Sequence, residues 1–434
     1  MDHFQYRDGV LRCEGVDLRA VAKRFDTPLY VYSKQTLLDH FVRFRSAFSN
    51  LRATICFSVK SCSNLSILKL LHERGSSFDV VSGGELCRAI EIGADPSRIA
   101  FAGVGKTDEE IACALNVGNG VGVGWFNVES RQELTTIAAI ARRLGIRAKV
   151  AIRVNPDVDP CTHEYTTTGT RETKFGIDIQ EARKVFGEFR EHESVDLGGV
   201  HVHIGSPVNR IQPYVQSVAR VLRLIETLRA DGHNVRAINI GGGFGAHYDG
   251  GEAPPASAYA EQIVPLLADR NLHVFLEPGR SITANAGVLL AKTLYTKRCG
   301  AKNYVIVDAS ITELIRPALY GSFHFAWPVA PAGGLVPPRR KRDLALEGTM
   351  PVDIVGPVCE SGDFLAKGRR LPPIARGDVM AIFSAGAYGM SMSSQYNSRC
   401  RAAEVLIDGD SARLIRRRET YDDLVAAERA LPCD

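Results

Sequence analysis

Long apolar runs are missing from this 434-residue chain: none approaches the length needed to span a bilayer, and residues 1–7 are polar with no apolar signal core. That argues against a membrane partner, and a cytoplasmic location is the expectation. Neither sign of charge dominates, with 53 basic against 49 acidic residues and a formal charge of +4, so the balance gives no reason to expect a nucleic-acid partner. The ten cysteines include no Cys-x-x-Cys pair and no nearby Cys/His ligand spacing, which argues against a structural zinc or a disulfide framework. Cys56, Cys87 and Cys113 have apolar neighbours and read as small core residues. Cys359 differs, lying in the polar, glycine-flanked stretch Gly356-Pro357-Val358-Cys359-Glu360-Ser361-Gly362-Asp363. No internal repeat is visible, and residues 328–342, with four prolines and the run Arg339-Arg340-Lys341-Arg342, read as a solvated loop.

What is present is regular. Hydrophobic content of 45% and charged content of 24% fit a soluble globular protein, and the length suits two domains. Short apolar runs at 54–59, 78–81, 99–102, 123–128, 149–154, 199–204, 237–240 and 273–276 alternate with stretches of three- and four-residue apolar spacing, such as 65–73, 85–91 and 132–143. Strand followed by helix, repeated eight times, needs parallel pairing and predicts a (β/α)8 TIM-like barrel with its chemistry on the rim where the strands end. After Arg280 the texture changes to strands without regular helices, at 288–295, 304–307, 352–355, 379–383, 403–407 and 412–417. The expected organisation is an N-terminal arm over 1–34 packing with the β-rich part, a barrel over 35–280, and a β-rich domain over 281–434.

Chemically suggestive residues sit at the strand ends. Lys60 follows the first run, where desolvation can make an amine nucleophilic, although a lysine at such a place is more often merely solvated. Alternation puts His201 and His203 on one face of the sixth strand; with no third ligand of suitable spacing, a stacking or proton-handling role ranks above a metal site. Gly241-Gly242-Gly243-Phe244-Gly245 offers bare backbone amides to a phosphate. It also matches a dinucleotide fingerprint formally, but Asp-Gly-Gly and Pro-Pro follow where a helix should begin. Glu277 closes the eighth run. A phosphate cradle, a strand-end carboxylate and a lysine across the barrel are what pyridoxal phosphate requires.

With these residues in place the chain resembles the barrel-type, alanine racemase-like (fold type III) pyridoxal-phosphate decarboxylases, and within them the branch acting on meso-diaminopimelate. The resemblance runs from Pro28-Leu29-Tyr30-Val31-Tyr32 to Arg416-Arg417-Arg418-Glu419. Its most specific parts include Asp79-Val80-Val81-Ser82-Gly83-Gly84-Glu85, Arg153-Val154-Asn155-Pro156, Lys174-Phe175-Gly176, His203-Ile204-Gly205-Ser206, Glu277-Pro278-Gly279-Arg280, Arg316-Pro317-Ala318-Leu319-Tyr320, Cys359-Glu360-Ser361-Gly362-Asp363 and Gly386-Ala387-Tyr388-Gly389.

The resemblance implies pyridoxal 5'-phosphate as cofactor, linked as an imine to Lys60, stacked on His203 and paired through Glu277. Asp79, Ser206, Gly241, Gly242, Gly243, Arg280 and Tyr388 would complete the cofactor site, with no metal. Arg280, Arg316 and Tyr320 would take the distal carboxylate of meso-diaminopimelate, Glu360 its distal ammonium, and Tyr388 would touch cofactor and substrate. Cys359 would return a proton after loss of carbon dioxide, leaving L-lysine, the final step of lysine biosynthesis. The Cys359 segment would reach into the other subunit of a homodimer. Two departures are visible: Ser61-Cys62 stands where relatives usually carry Ala-Asn, and Pro207 where Gln is common. An ornithine or arginine decarboxylase of the same fold is disfavoured by Arg316, a racemase by the decarboxylase-like Cys359 segment, and a catalytically silent homologue by the retention of Lys60, Glu277 and Cys359.

Overall fold

The computed structural model describes residues 2–159, 174–249, 253–429 and 431. The chain divides into two compact units, one of residues 40–245 and 253–281, the other of residues 1–39, 246–252 and 282–434.

The first unit is a closed parallel barrel. Its strands are Ala53–Ser58, Ser77–Val80, Ala100–Phe101, Trp125–Val128, Ala148–Asn155, Val195–His201, Ala237–Asn239 and His273–Leu276. Each pairs with its sequence neighbour, and the last pairs with the first through Val274 opposite Ala53 and Leu276 opposite Ile55. All eight apolar runs are therefore strands. Closure also corrects one expectation: Glu277 and Lys60 leave adjacent strands rather than opposite walls, because in a closed barrel the eighth strand's partner is the first. Trp125 packs on Cys56, Ala237 and Phe275 to fill the interior.

The expected helices are present as Leu65–His72, Gly83–Glu91 and Arg131–Leu144. Their starts follow from side-chain caps: Asn64 accepts from Ser66 N, Ser82 from Glu85 N and Ser130 from Glu133 N. Each serine or asparagine thus ends the preceding loop and fixes how the chain leaves the rim. Two cysteines depart from expectation: Cys56 is buried, whereas Cys87 and Cys113 are exposed. Cys87 falls off the face of its helix that buries Leu86 and Ala89, and Cys113 off the face that buries Ile111, Ala114 and Leu115. Neighbours in sequence are not neighbours on a helix face.

The second unit is built on a β-sheet whose axis is the strand Gly287–Cys299. It pairs antiparallel with Leu29–Ser33, Lys302–Val307 and Val379–Ile382, and Ala403–Asp408 adds in parallel to Leu29–Ser33. A hairpin of Phe4–Arg7 and Val10–Cys13 turns at Asp8 and Gly9, both with positive φ. The six runs expected after Arg280 are strands, but several elements escape that reading, among them the three-residue strand Ala326–Pro328. Arg316–Tyr320 is a five-residue helix stopped by Gly321 at φ 58°, too short to show periodicity. Tyr421–Arg429 is a nine-residue helix that buries no residue. Phe364–Leu371 is a strand whose pairing shifts register, and Gly368 and its charged neighbours interrupt the alternation.

The basic loop is not simply solvated either. Arg340 pairs with Asp2 at 2.6 Å and lies 4.1 Å from the Phe383 ring centroid. Arg342 pairs with Asp249 at 2.9 Å and lies 4.9 Å from the Phe323 ring centroid. Long guanidinium side chains cover apolar surface as readily as they seek water.

Candidate active site

The rim of the barrel gathers Lys60, Asp79, His201, His203, the triple glycine and Glu277 through a chain of short contacts. Lys60 stands on a single 3-10 turn, Val59–Ser61, immediately beyond the first strand, with its side chain 39% exposed. Its Nζ donates to Asp79 Oδ2 at 3.2 Å, and Ser58 Oγ donates to the same oxygen at 2.8 Å. Burial raises the Asp79 carboxyl above its ordinary range, aided by the Glu277 charge, while Lys60 pulls the other way.

Glu277 leaves the eighth strand almost fully buried. Its Oε1 accepts from Asn239 Nδ2 at 2.6 Å and from Asn127 Nδ2 at 3.0 Å, and Oε2 lies 3.5 Å from His201 Nε2. Burial alone would raise this carboxyl; His201, Lys60 and the Asn239 amide outweigh it and bring it down to about 2, so the group is an anion at neutral pH.

The sixth strand ends at His201, and His203 lies beyond it, so the two imidazoles are not a same-face pair on one strand. His203 Nδ1 accepts the Gly242 amide at 3.2 Å. Burial, with the Arg153 and Lys60 charges, pushes His203 well below the ordinary histidine value, leaving a neutral ring. Arg153 donates to the His203 carbonyl at 3.3 Å and is itself paired to Glu129 at 2.7 Å, both side chains buried.

The glycines are there because nothing else fits. Gly241 and Gly243 have φ of 70° and 95°. A Cβ on Gly243 would come within 2.0 Å of the Gly205 carbonyl, and one on Gly242 within 2.1 Å of the Glu277 carbonyl. Beside this cradle, buried Arg280 donates from Nε to Ser206 Oγ at 3.1 Å.

The other unit carries a second cluster. Arg316 is 5% exposed, and its guanidinium carbon lies 5.4 Å from the Tyr320 ring centroid and 5.7 Å from that of Tyr388. Cys359 and Glu360 occupy an exposed turn held by other partners: Asn397 Oδ1 accepts from Cys359 N at 3.2 Å, and Tyr396 donates to Glu360 Oε1 at 2.7 Å. Asp363 fixes this turn by accepting from Val358 N and Ile311 N at 2.7 and 2.8 Å.

The sequence had not marked Asn127, Asn239 or Tyr248. The asparagines had a signal, an amide inside each of two apolar barrel runs, where a polar side chain turned inward needs a partner. Tyr248 had none, since its position follows from the fold.

These residues suit pyridoxal phosphate. A strand-end amine, a buried carboxylate held ionised, a neutral aromatic imidazole, and a backbone cradle beside an arginine and a serine hydroxyl are the complementary groups for its aldehyde, pyridine nitrogen, ring face and phosphate. Oδ1 of Asp79 and Nδ1 of His201 are buried without a hydrogen-bond partner among the described residues, polar capacity that a bound polar group can use.

Comparison with known proteins agrees. A family model described as pyridoxal-dependent decarboxylase, pyridoxal binding domain, matches residues 34–284. The diaminopimelate decarboxylase of Aquifex aeolicus is 45% identical over 98% of this chain and 96% of its own length. That of Pseudomonas aeruginosa is 44% identical over 100% of both chains. The crystal structure of diaminopimelate decarboxylase from Helicobacter pylori complexed with L-lysine aligns at a TM-score of 0.88 and 38% identity, covering 95% of this chain and 99% of that one. The barrel, the lysine and carboxylate on its rim and the end-to-end similarity together establish that the chain belongs to the diaminopimelate decarboxylase family of pyridoxal-dependent decarboxylases.

Proposed function

We infer that this chain decarboxylates meso-2,6-diaminopimelate to L-lysine and carbon dioxide with pyridoxal phosphate, the last step of lysine biosynthesis. The observation that carries the reading is Glu277, a buried carboxylate on the same rim as Lys60, kept ionised chiefly by His201 and Lys60 and bonded by the amides of Asn239 and Asn127. When bound, the cofactor supplies an electron sink for the pair released as the α-carboxylate departs, and an anion at its pyridine nitrogen keeps that sink positively charged.

The chain's own residues do the rest. Lys60 holds the cofactor covalently through Nζ, and Asp79 receives that ammonium while it is free. His203 gives the ring a neutral face, and Gly241, Gly242, Gly243, Ser206 and Arg280 hold the phosphate. Tyr388 contacts cofactor and substrate. Arg316, with Tyr320, takes the distal carboxylate with the planar fork of a guanidinium, which a distal ammonium would not tolerate. Arg280 serves the same carboxylate in addition to the phosphate region. Glu360 receives the distal ammonium and Cys359 delivers a proton from Sγ to the α-carbon.

We also propose a homodimer in which Cys359 and Glu360 complete the partner's site; their exposure on a turn fastened by Asp363 supports this. No helix among the described residues is long and apolar enough to cross a membrane, and a cytoplasmic enzyme is proposed. Release of carbon dioxide with an equal amount of lysine from meso-diaminopimelate tests the function, and cofactor-loaded protein that yields neither would overturn it.

A further inference from the structure

Arg316 is held on a third side by a residue that no sequence motif marks. The Tyr248 ring centroid lies 5.7 Å from the Arg316 guanidinium carbon, and Arg316 Nη2 donates to Ser322 Oγ at 3.1 Å. Tyr248 is fixed in its turn. With Tyr388 it packs on the alanines Ala246, Ala284 and Ala387, and it meets the His324 ring edge to face at 5.5 Å. His324 is fully buried, with Nδ1 2.9 Å from the Phe383 carbonyl.

The next residue carries the second half of the device. Asp249 accepts from the Arg342 backbone amide at 2.8 Å and from Arg342 Nε at 2.9 Å, one oxygen for each. Arg342 ends the basic run of the proline-rich loop, and its guanidinium covers Phe323, the residue before His324. Arg342 therefore touches the side chains of the residue after Tyr248 and the residue before His324.

An arginine recognises a carboxylate through a planar fork, and a long side chain free to rotate must give up that freedom on binding. An aromatic face attracts the guanidinium and blocks its alternative rotamers, so the cost is met before substrate arrives.

We propose that Tyr248 is a positioning residue for recognition of the substrate's distal carboxylate, orienting Arg316, and that the Arg342–Asp249 clamp holds Tyr248 in place. The proposal rests on the reading of Arg316 as the distal-carboxylate ligand. It also gives the loop over residues 328–342 a role in substrate selection.

Steady-state kinetics with meso-diaminopimelate on cofactor-loaded wild type, Tyr248→Phe, Tyr248→Leu, Arg342→Gln and the Tyr248→Leu/Arg342→Gln double variant test it. Tyr248→Phe keeps the ring and should match wild type, whereas Tyr248→Leu should raise KM about tenfold, with kcat within about twofold and cofactor absorbance unchanged. Arg342→Gln should raise KM about threefold alone and add nothing once Tyr248 is leucine, the non-additivity of residues acting through one another. An unchanged KM in Tyr248→Leu, or a kcat that falls together with Tm, would overturn the positioning role. Full additivity in the double variant would overturn the clamp. Arg342→Gln lies on a half-exposed side chain and keeps the test open should Tyr248→Leu fail to fold. A wild type inert toward meso-diaminopimelate would instead overturn the assignment of function, and this proposal with it.

Discussion

Asn239 binds Glu277 and the glycine cradle at once: its Nδ2 donates to Glu277 Oε1 at 2.6 Å while its Oδ1 accepts the Gly241 amide at 2.9 Å. One amide side chain thus couples the Glu277 charge to the backbone of the triple glycine.

Asn239→Ala should therefore weaken the cofactor site from both sides. Losing a hydrogen bond to a buried anion costs about 1.5–3 kcal/mol, and the Glu277 carboxyl should rise because Asn239 is one of the groups that holds it down. Titration of the apoprotein with pyridoxal phosphate should show affinity reduced at least about tenfold, whereas wild-type affinity would mean that Glu277 does not depend on Asn239.

Arg316→Ala should raise KM for meso-diaminopimelate by about a hundredfold, as expected for loss of a bidentate charge-assisted contact. Cofactor affinity should change far less, because Arg316 is assigned to the distal carboxylate and Lys60, Glu277, the glycines, Ser206 and Arg280 to the cofactor. Equal losses in both would move Arg316 out of the substrate site.

Glu85 predicts how stability depends on pH. Burial raises its carboxyl from an ordinary 4.5 to about 7, against the opposing bond from the Val81 amide. Between those values the native state keeps a proton that the unfolded chain releases. The contribution is therefore fully present below pH 4.5 and is lost as pH rises through about 7. Glu85→Gln keeps an acceptor for Val81 and cannot ionise. Denaturant unfolding at pH 5 and pH 8 should show the variant gaining stability relative to wild type at pH 8, by on the order of 3 kcal/mol. No difference between the two pH values would mean that Glu85 titrates normally.

The proposed homodimer with shared sites makes a prediction by mixing. Lys60→Ala protein should lack the absorbance of lysine-linked cofactor, and Cys359→Ala protein should keep it, each nearly inactive alone. Random exchange of protomers makes half the dimers hybrid, each with one intact site of two, so activity should return to about a quarter of wild type. No recovery after verified exchange would place Lys60 and Cys359 of one site in a single chain.

The barrel was legible because strands buried on both faces are continuous apolar runs, and the rim residues because they stand where those runs stop. Adjacency was not: that Glu277 neighbours Lys60 rather than facing it depends on closure between Val274 and Ala53, a long-range pairing without local signature. Asn127 and Asn239 were visible as amides in apolar runs, but their common target was not. Cys87 and Cys113 show the same limit on a smaller scale, since apolar neighbours in sequence put neither on a buried face. Tyr248 belongs wholly to tertiary structure.

The most direct test of the central claim is product analysis after incubating cofactor-loaded protein separately with meso-diaminopimelate, ornithine, arginine and lysine. Lysine and carbon dioxide from meso-diaminopimelate, with no decarboxylated amine from the other three, is the predicted result. Turnover of a basic amino acid in place of diaminopimelate would contradict it, because the buried Arg316 would then face a cation.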